Sequence, residues 1–281
     1  MTDAAPGGAD LAPLAPEPLV SIVTPSYNTG RYIDETLRSV AEQDYPRIEH
    51  IVLDSGSTDE TPQILARYPS VRVVSDPGGV TAKVNRGFEL ARGDILAWIN
   101  ADDFYLPGAV RKAVAAFLES PRAALVYCNY LDVDERSAEI ARRKSRQCTA
   151  AELVDDWNWV PHQTAFFRRD AIAVVGPLDA RYELVQDWEL WIRLAKQFPI
   201  RYVDDYWAAF RISRGQRSDL KKYAYWREAR DMTRSHGGRI WSPLVRRHYG
   251  GKIRRAAGML RDRRLETLVE KLRDFVFSPR R

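Results

Sequence analysis

From Leu19 onward, short uninterrupted apolar runs alternate with longer stretches in which apolar residues recur every three or four positions. The runs Leu19 to Thr24, His50 to Leu53, Val71 to Val74, Ile95 to Asn100 and Leu125 to Tyr127 have strand length and few polar interruptions, the mark of strands buried on both faces. Between them, helical stripes are formed by Ile33, Leu37 and Val40, by Ile64, Leu65 and Tyr68, and by Val80, Val84, Phe88 and Ala91. Pro107 opens a further stripe carrying Val110, Val114 and Phe117. This regular alternation predicts right-handed β-α-β units and a mostly parallel α/β sheet, a Rossmann-like half domain over residues 19–130. After Tyr130 the rhythm breaks into an Arg-rich stretch, a Trp-containing segment at Trp157 to Pro161, a strand-like Thr164 to Phe167 and a helix beginning near Asp187. Residues 131–213 are therefore expected to form a second subregion packed on the same sheet. Residues 1–18, rich in Ala, Pro, Gly and Asp without periodicity, read as a disordered leader. Residues 214–281 read as a helical extension, with Leu265, Val269, Leu272 and Val276 at helical spacing.

Charge sharpens that last boundary. Residues 1–210 carry 22 Lys and Arg against 31 Asp and Glu, whereas residues 211–281 carry 21 against 7. An acidic body with a basic tail suggests an anionic membrane surface as a partner for the tail, or simply a helix packed on the oppositely charged body; nucleic acid is the less fitting partner. The two cysteines, Cys128 and Cys148, form neither a C-x-x-C pair nor a disulfide framework, which points to a reducing, cytoplasmic setting. No stretch reaches membrane-spanning length, and the N-terminus lacks the basic start and apolar centre of a signal peptide.

Candidate chemistry gathers where the apolar runs end, the rim at which open α/β sheets bind ligands. The run after Gly93 stops at Asn100-Ala101-Asp102-Asp103. Two adjacent carboxylates repel, and a hard divalent cation with phosphate co-ligands relieves that repulsion, which suggests metal-assisted handling of a nucleotide diphosphate. The first run ends in Thr24-Pro25-Ser26-Tyr27-Asn28, where Tyr27 offers a ring to a base or the segment forms only a rigid turn. The second ends in Asp54-Ser55-Gly56-Ser57-Thr58-Asp59, with Asp54 at the rim and Asp59 in the position of a helix cap. Asp76-Pro77-Gly78-Gly79 leads into the helix bearing Lys83, Asn85 and Arg86, either a phosphate-binding helix start or a turn followed by a solvated face. Neither G-x-x-x-x-G-K-[ST] nor G-x-G-x-x-G occurs, so neither a P-loop NTPase nor a dinucleotide oxidoreductase is supported. His162, after Pro161, reads as a structural histidine or a ligand contact, and Asp187 as a helix N-cap or a functional acid. Trp157, Trp159, Trp188 and Trp191 offer either an aromatic platform or core packing.

Val20-Ser21-Ile22-Val23-Thr24-Pro25-Ser26-Tyr27-Asn28, Asp54-Ser55-Gly56-Ser57-Thr58-Asp59 and Asn100-Ala101-Asp102-Asp103, in this order, resemble the family 2 glycosyltransferases of the GT-A fold, and the resemblance continues through Pro161-His162-Gln163-Thr164 and Gln186-Asp187-Trp188-Glu189-Leu190-Trp191. It covers roughly residues 19–212. It implies an inverting enzyme that moves a sugar from a nucleotide diphosphate-sugar, by default a UDP-sugar, to a hydroxyl of a saccharide or lipid-linked acceptor in cell-surface polysaccharide or glycolipid synthesis, with Mg²⁺ or Mn²⁺ as cofactor. The resemblance gives Asp54 the nucleotide base, Asp102 the ribose, Asp103 the metal and Asp187 the role of general base. Pro25, Tyr27, Asn28, Lys83 and Asn85 complete the expected nucleotide-sugar site, with His162 and Trp188 toward the diphosphate or the acceptor. The chain departs from the family pattern at Asn100, where some relatives place the first acid of a D-x-D motif, and at Ala82, where many carry Asp. A non-catalytic nucleotide-sugar-binding GT-A scaffold is the alternative from another functional class.

Overall fold

The computed structural model describes residues 10–213, 222–239 and 242–243 of the 281. Its first half contains β1 (Val20–Ser26), α1 (Ile33–Ala41), β2 (Ile48–Asp54), α2 (Thr61–Leu65), β3 (Arg72–Ser75), α3 (Val80–Leu90), β4 (Ile95–Trp98), β5 (Phe104–Tyr105) and α4 (Ala109–Glu119). The second half adds β6 (Leu125–Val133), β7 (Glu139–Arg143), α5 (Ala150–Asp155), a 3₁₀ turn at His162–Thr164, β8 (Phe166–Arg168), α6 (Arg169–Val175), α7 (Gln186–Gln197), β9 (Ile200–Arg211) and α8 (Lys222–Ser235).

One sheet runs in the order β3-β2-β1-β4-β8-β6-β9-β5, with β7 paired to β6. The first four strands are parallel, joined by helical crossovers as the alternation predicts; β8 then pairs antiparallel with β4 and β6 and joins the second subregion to the first. Successive residues of each central strand enter opposite cores. Val23, Leu53, Leu96 and Phe167 face the core of α3, α7 and α8, whereas Ile22, Ile95, Val126 and Phe166 face that of α4. Both faces of the central strands are therefore covered, which is why those runs carry almost no polar residues, whereas the run at Val71 to Val74 forms the edge strand β3, where Val73 is 46% exposed.

Three expectations differ from the observed structure. Residues 10–18 lie against the body: Leu11 and Leu14 are packed on the two cores, Arg168 donates to the Ala12 carbonyl, and Tyr45 Oη donates to the Pro18 carbonyl at 2.6 Å. Their few apolar side chains and a carbonyl-seeking arginine supply what composition alone conceals; residues 1–9 lie outside the described part. The strand expected over 164–167 is the 3₁₀ turn followed by β8, because Thr164 Oγ1 turns back to the Pro161 carbonyl at 3.1 Å. Finally, β6 extends to Val133 and β9 pairs with it along its length, shifting register where Cys128 faces Val203 and Asn129 faces Tyr206. Asp204 and Asp205 are the extra residues of that bulge, and they interrupt the period by which a strand is recognised in sequence. The stripe Leu265 to Val276 falls outside the described residues. Among the described residues no helix is long and apolar enough to cross a membrane.

Candidate active site

The ends of β1 and β2 fold into a single cradle. Ile99 N–H donates to the Val23 carbonyl, so odd-numbered residues of β1 address β4; β4 ends at Trp98, and Pro25, next in that series, has no ladder bond to lose. Asn28 adopts a left-handed conformation, which its short amide side chain tolerates. Its N–H donates to Ser57 Oγ and its Oδ1 accepts from Thr58 N–H, both at 2.8 Å. Asp54, buried at the end of β2, accepts from Gly56 N–H at 3.1 Å, Ser57 N–H at 2.8 Å and Ser57 Oγ at 2.6 Å. Gly56 has φ +75°, a value that a side chain would oppose. Tyr27 projects from this cradle, 59% exposed. Asp59 serves as a local cap, accepting from Thr61 N–H at 3.0 Å.

Behind the cradle, Lys83 Nζ donates to the Ser26 carbonyl at 2.7 Å and to Ser55 Oγ at 2.8 Å. Burial pulls this ammonium below the ordinary lysine range while Asp54 and Asp76 oppose the shift. Two of its protons thus tie the ends of β1 and β2 together. Asn85 uses both ends of its amide on the backbone of Leu178, at 2.9 Å each, and holds the loop before α7. Arg86 pairs with Glu89 on an exposed helix face.

The adjacent acids follow β4. Asp103 is 1% exposed: Oδ1 accepts from Arg211 N–H at 3.0 Å, and its backbone carbonyl accepts from Thr36 Oγ1 at 2.6 Å. Its Oδ2 is buried without a hydrogen-bond donor, 3.8 Å from His162 Nε2. Burial and the charge of Asp102 push the Asp103 carboxyl well above the carboxylate range against the opposing Arg211 and the nearby amide of Asn100, and burial raises Asp102 as well. Arg211, itself buried, donates from Nε to the Asp102 carbonyl at 2.9 Å, contacts Glu35 and Ser137, and lies over the ring of Tyr32 at 4.6 Å. His162 stacks on Trp98 at 5.6 Å, and burial lowers its imidazole to about 4, so the ring is neutral and Nε2 is free to accept from Asn100 Nδ2 at 2.9 Å.

A sealed carboxylate oxygen without a donor, beside a second acid, fits a hard divalent cation: the ion would restore the missing partner and relieve both carboxyl groups. Among the described residues no three His, Cys, Asp or Glu side chains converge as a metal cluster. A cation held there would draw only part of its coordination from the described side chains and the rest from phosphate and water oxygens.

Asp187 lies in the first turn of α7, where Val185 rather than Asp187 is the N-cap residue. Asn158 Nδ2 donates to Asp187 Oδ2 at 3.1 Å, and burial pushes the carboxyl up to about 6 against the opposing Trp188 N–H and Asn158. Two connections bring it toward Asp103. The segment that begins at Asn158 reaches His162 four residues later, and Trp191, one turn along α7, stacks on Trp98 at 6.0 Å behind His162. Trp188, expected at the acceptor, is instead fully buried and donates its indole N–H to the Leu153 carbonyl at 2.7 Å, which leaves it no surface for a ligand. Trp191 is likewise core, while Trp157 and Trp159 are half-buried. Sequence reasoning missed Arg211 and Asn158: one closes the strand β9 and the other stands in a loop, and the role of each depends on a partner between 29 and 109 positions away.

Residues 21–176 match the family described as Glycosyl transferase family 2. Over 183 residues the chain is 33% identical to a PGL/p-HBAD biosynthesis glycosyltransferase of Mycobacterium tuberculosis, an alignment covering 63% of this chain and 69% of that protein. It is 26% identical over 210 residues to the chondroitin synthase of Escherichia coli, with 73% of this chain and 30% of the synthase aligned. An uncharacterized glycosyltransferase of Rickettsia typhi is 26% identical over 188 residues, which span 64% of this chain and 59% of the relative. Two solved structures share the fold at 19% identity and a TM-score of 0.58 each. S. aureus TarS 1-349 in complex with UDP is aligned over 76% of this chain and 65% of that one. The mannosyltransferase PcManGT from Pyrobaculum calidifontis, in complex with GDP-Man and Mn²⁺, is aligned over 78% of this chain and 66% of that one.

Proposed function

The chain belongs to glycosyl transferase family 2 and has the GT-A fold, and from that premise we propose that it is a metal-dependent, inverting transferase of a sugar from a nucleotide diphosphate donor to an acceptor hydroxyl. The observations that carry the reading are two contrasted acids, Asp103 in the segment after β4 and Asp187 in the first turn of α7. Asp103 keeps a buried oxygen without a donor, while Asp187, raised to about 6, is ionised at neutral pH yet basic enough to accept a proton.

In this reading the acceptor hydroxyl gives its proton to Asp187 as its oxygen bonds to the anomeric carbon. The bond from that carbon to the donor phosphate breaks on the opposite face, and its electron pair leaves with the nucleoside diphosphate, so configuration inverts. Asp103, with Asp102 and His162 close by, would hold Mg²⁺ or Mn²⁺, whose chemistry is to neutralise charge developing on the diphosphate. Asp54 and Asn28 shape the cradle for the base, Pro25 closes its floor and Tyr27 supplies the stacking ring. Lys83 and Asn85 act by holding this cradle and the Leu178 loop in place. The UDP and GDP-Man bound by the two structural neighbours keep uracil and guanine donors both in view, with a UDP-sugar the first to test. A product in polysaccharide or glycolipid synthesis agrees with the chondroitin and PGL/p-HBAD relatives, and the basic residues after 210 would draw the protein to an anionic membrane surface.

The test is a thermal-shift screen of UDP-, GDP- and dTDP-sugars with and without Mn²⁺. The expected result is a metal-dependent stabilisation by one donor in the wild type that Asp103→Ala removes. Equal stabilisation of wild type and variant would deny Asp103 the metal, and no stabilisation by any donor would end the transferase reading.

A further inference from the structure

Residues 21–176 match the family, yet the side chain that grips the acids after β4 comes from beyond them, at the end of β9. Arg211 is 1% exposed, and its parts have separate partners. Its main-chain N–H donates to Asp103 Oδ1 at 3.0 Å and its Nε to the Asp102 carbonyl at 2.9 Å. Nη1 donates to the Asp134 carbonyl and to Ser137 Oγ, both at 3.0 Å, and Nη2 to Glu35 of α1. The guanidinium plane also lies 4.6 Å from the Tyr32 ring centroid and 5.6 Å from that of Phe104.

The groups that hold the far end of this side chain are fixed independently of the acids. In the turn between β6 and β7, Asp134 Oδ1 accepts from Arg136 N–H at 2.8 Å and Ala138 N–H at 2.9 Å. Ser137 Oγ donates to Glu35 at 2.8 Å, and Arg31 pairs with Glu135, so the turn is tied to α1. From this backing, Nε and one peptide N–H reach the acids. The two oxygens of Asp103 are thereby made unequal: Oδ1 is filled by the peptide N–H, while Oδ2 stays sealed without a donor, 3.8 Å from His162 Nε2. A carboxyl that turned to offer both oxygens would lose its bond to residue 211, and a shift of the Asp102 carbonyl would break a charge-assisted bond. Spreading a planar fork over three segments while stacking on rings uses what distinguishes arginine from lysine.

We propose that Arg211 is a positioning residue for the divalent cation: it fixes Asp102 and Asp103 so that Asp103 presents Oδ2 alone, and the affinity for the cation depends on that fixed geometry. This rests on the metal-dependent reading above. The two rival effects of the side chain differ in sign. A positive charge beside a cation site weakens cation binding, so removing it by charge alone would tighten the site, whereas removing the support of a ligand loosens it.

The experiment titrates Mn²⁺ into the full chain, saturated with the nucleoside diphosphate of the donor found in the thermal-shift screen, and follows free Mn²⁺ by electron paramagnetic resonance. Nucleotide affinity without metal is measured beside it. Arg211→Met is expected to raise the Kd for Mn²⁺ about tenfold or more, with metal-free nucleotide affinity within about twofold of wild type. Ser137→Ala, a neutral change at a half-buried turn residue, is expected to raise it about threefold, and it decides the matter if Arg211→Met fails to fold. Unchanged or tighter Mn²⁺ binding in the folded variants would overturn the proposal, as would an equal loss of metal-free nucleotide affinity, the mark of an arginine that serves only the fold. In either case the transferase reading stands if the wild type binds Mn²⁺ and Asp103→Ala does not. A wild type that binds no Mn²⁺ beside the nucleotide removes the metal from that reading and this proposal with it.

Discussion

Asp187 illustrates how one side chain acquires its chemistry. An ordinary aspartate is fully ionised at pH 6; burial at the start of α7 brings this one to about 6. The general base proposed at Asp187 works only when ionised, so that proposal requires acceptor-dependent kcat/KM to be level above pH 7 and to fall about tenfold per unit below pH 6, as a pH profile would record. The same shift has a stability consequence of opposite sign to that of a salt-bridged acid. Because the folded state binds this proton more tightly than the unfolded chain, the favourable contribution is present below pH 4 and is lost as pH rises through 6. Asp187→Asn should therefore stabilise the protein by about 1–3 kcal/mol at pH 7 and hardly at all at pH 4, while lowering transfer by about 10²–10⁴-fold. Urea unfolding at the two pH values, beside a transfer assay, checks both halves. Asp54, Asp102 and Asp103 stood out in the sequence because they follow the ends of apolar runs, whereas Asp187 stood out only through the family resemblance, its local pattern reading equally as a helix cap. Which oxygen of Asp103 lacks a partner was not legible there, because Arg211 reaches it from 108 positions away.

Among the elements, α3 carries a constraint on close packing. A Cβ added at Gly87 would lie 2.4 Å from Val23 Cγ1 and 2.8 Å from its Cγ2, on the face of β1 that the helix covers. Gly87→Ala should push α3 from the sheet and cost about 1–3 kcal/mol in urea unfolding. Lys83, one turn earlier, should lose its grip on Ser26 and Ser55, and donor affinity should fall with it. The strands and helices up to α4 were readable because buried runs and helical stripes are local signals. The second half was readable only in part: α7 has its stripe, while β9 is broken by its Asp204-Asp205 bulge, β5 is two residues long, and β7 pairs on one side only. Such elements exist because a neighbouring strand supplies their hydrogen bonds, and no local pattern encodes that neighbour.

For the molecule as a whole, the uneven charge carries the remaining expectation. With 21 Lys and Arg against 7 Asp and Glu after residue 210, the full chain should sediment with vesicles containing phosphatidylglycerol at low salt, and binding should weaken steeply as NaCl approaches several hundred millimolar. Equal binding to neutral phosphatidylcholine vesicles would refute an electrostatic membrane contact. The described start of this basic region also has a second role, since α8 contributes Ala229 and Met232 to the core. Apolar periodicity, strand-end acids and charge asymmetry were determined by the sequence alone, because each is a property of neighbouring residues or of a simple count. The burial that raises Asp187 and the division of Asp103 between Arg211 and an open oxygen were decided only by the tertiary structure. Desolvation and hydrogen bonding act between groups that meet through folding, and the meeting of α8 with α7, or of β9 with the loop after β4, is a three-dimensional fact.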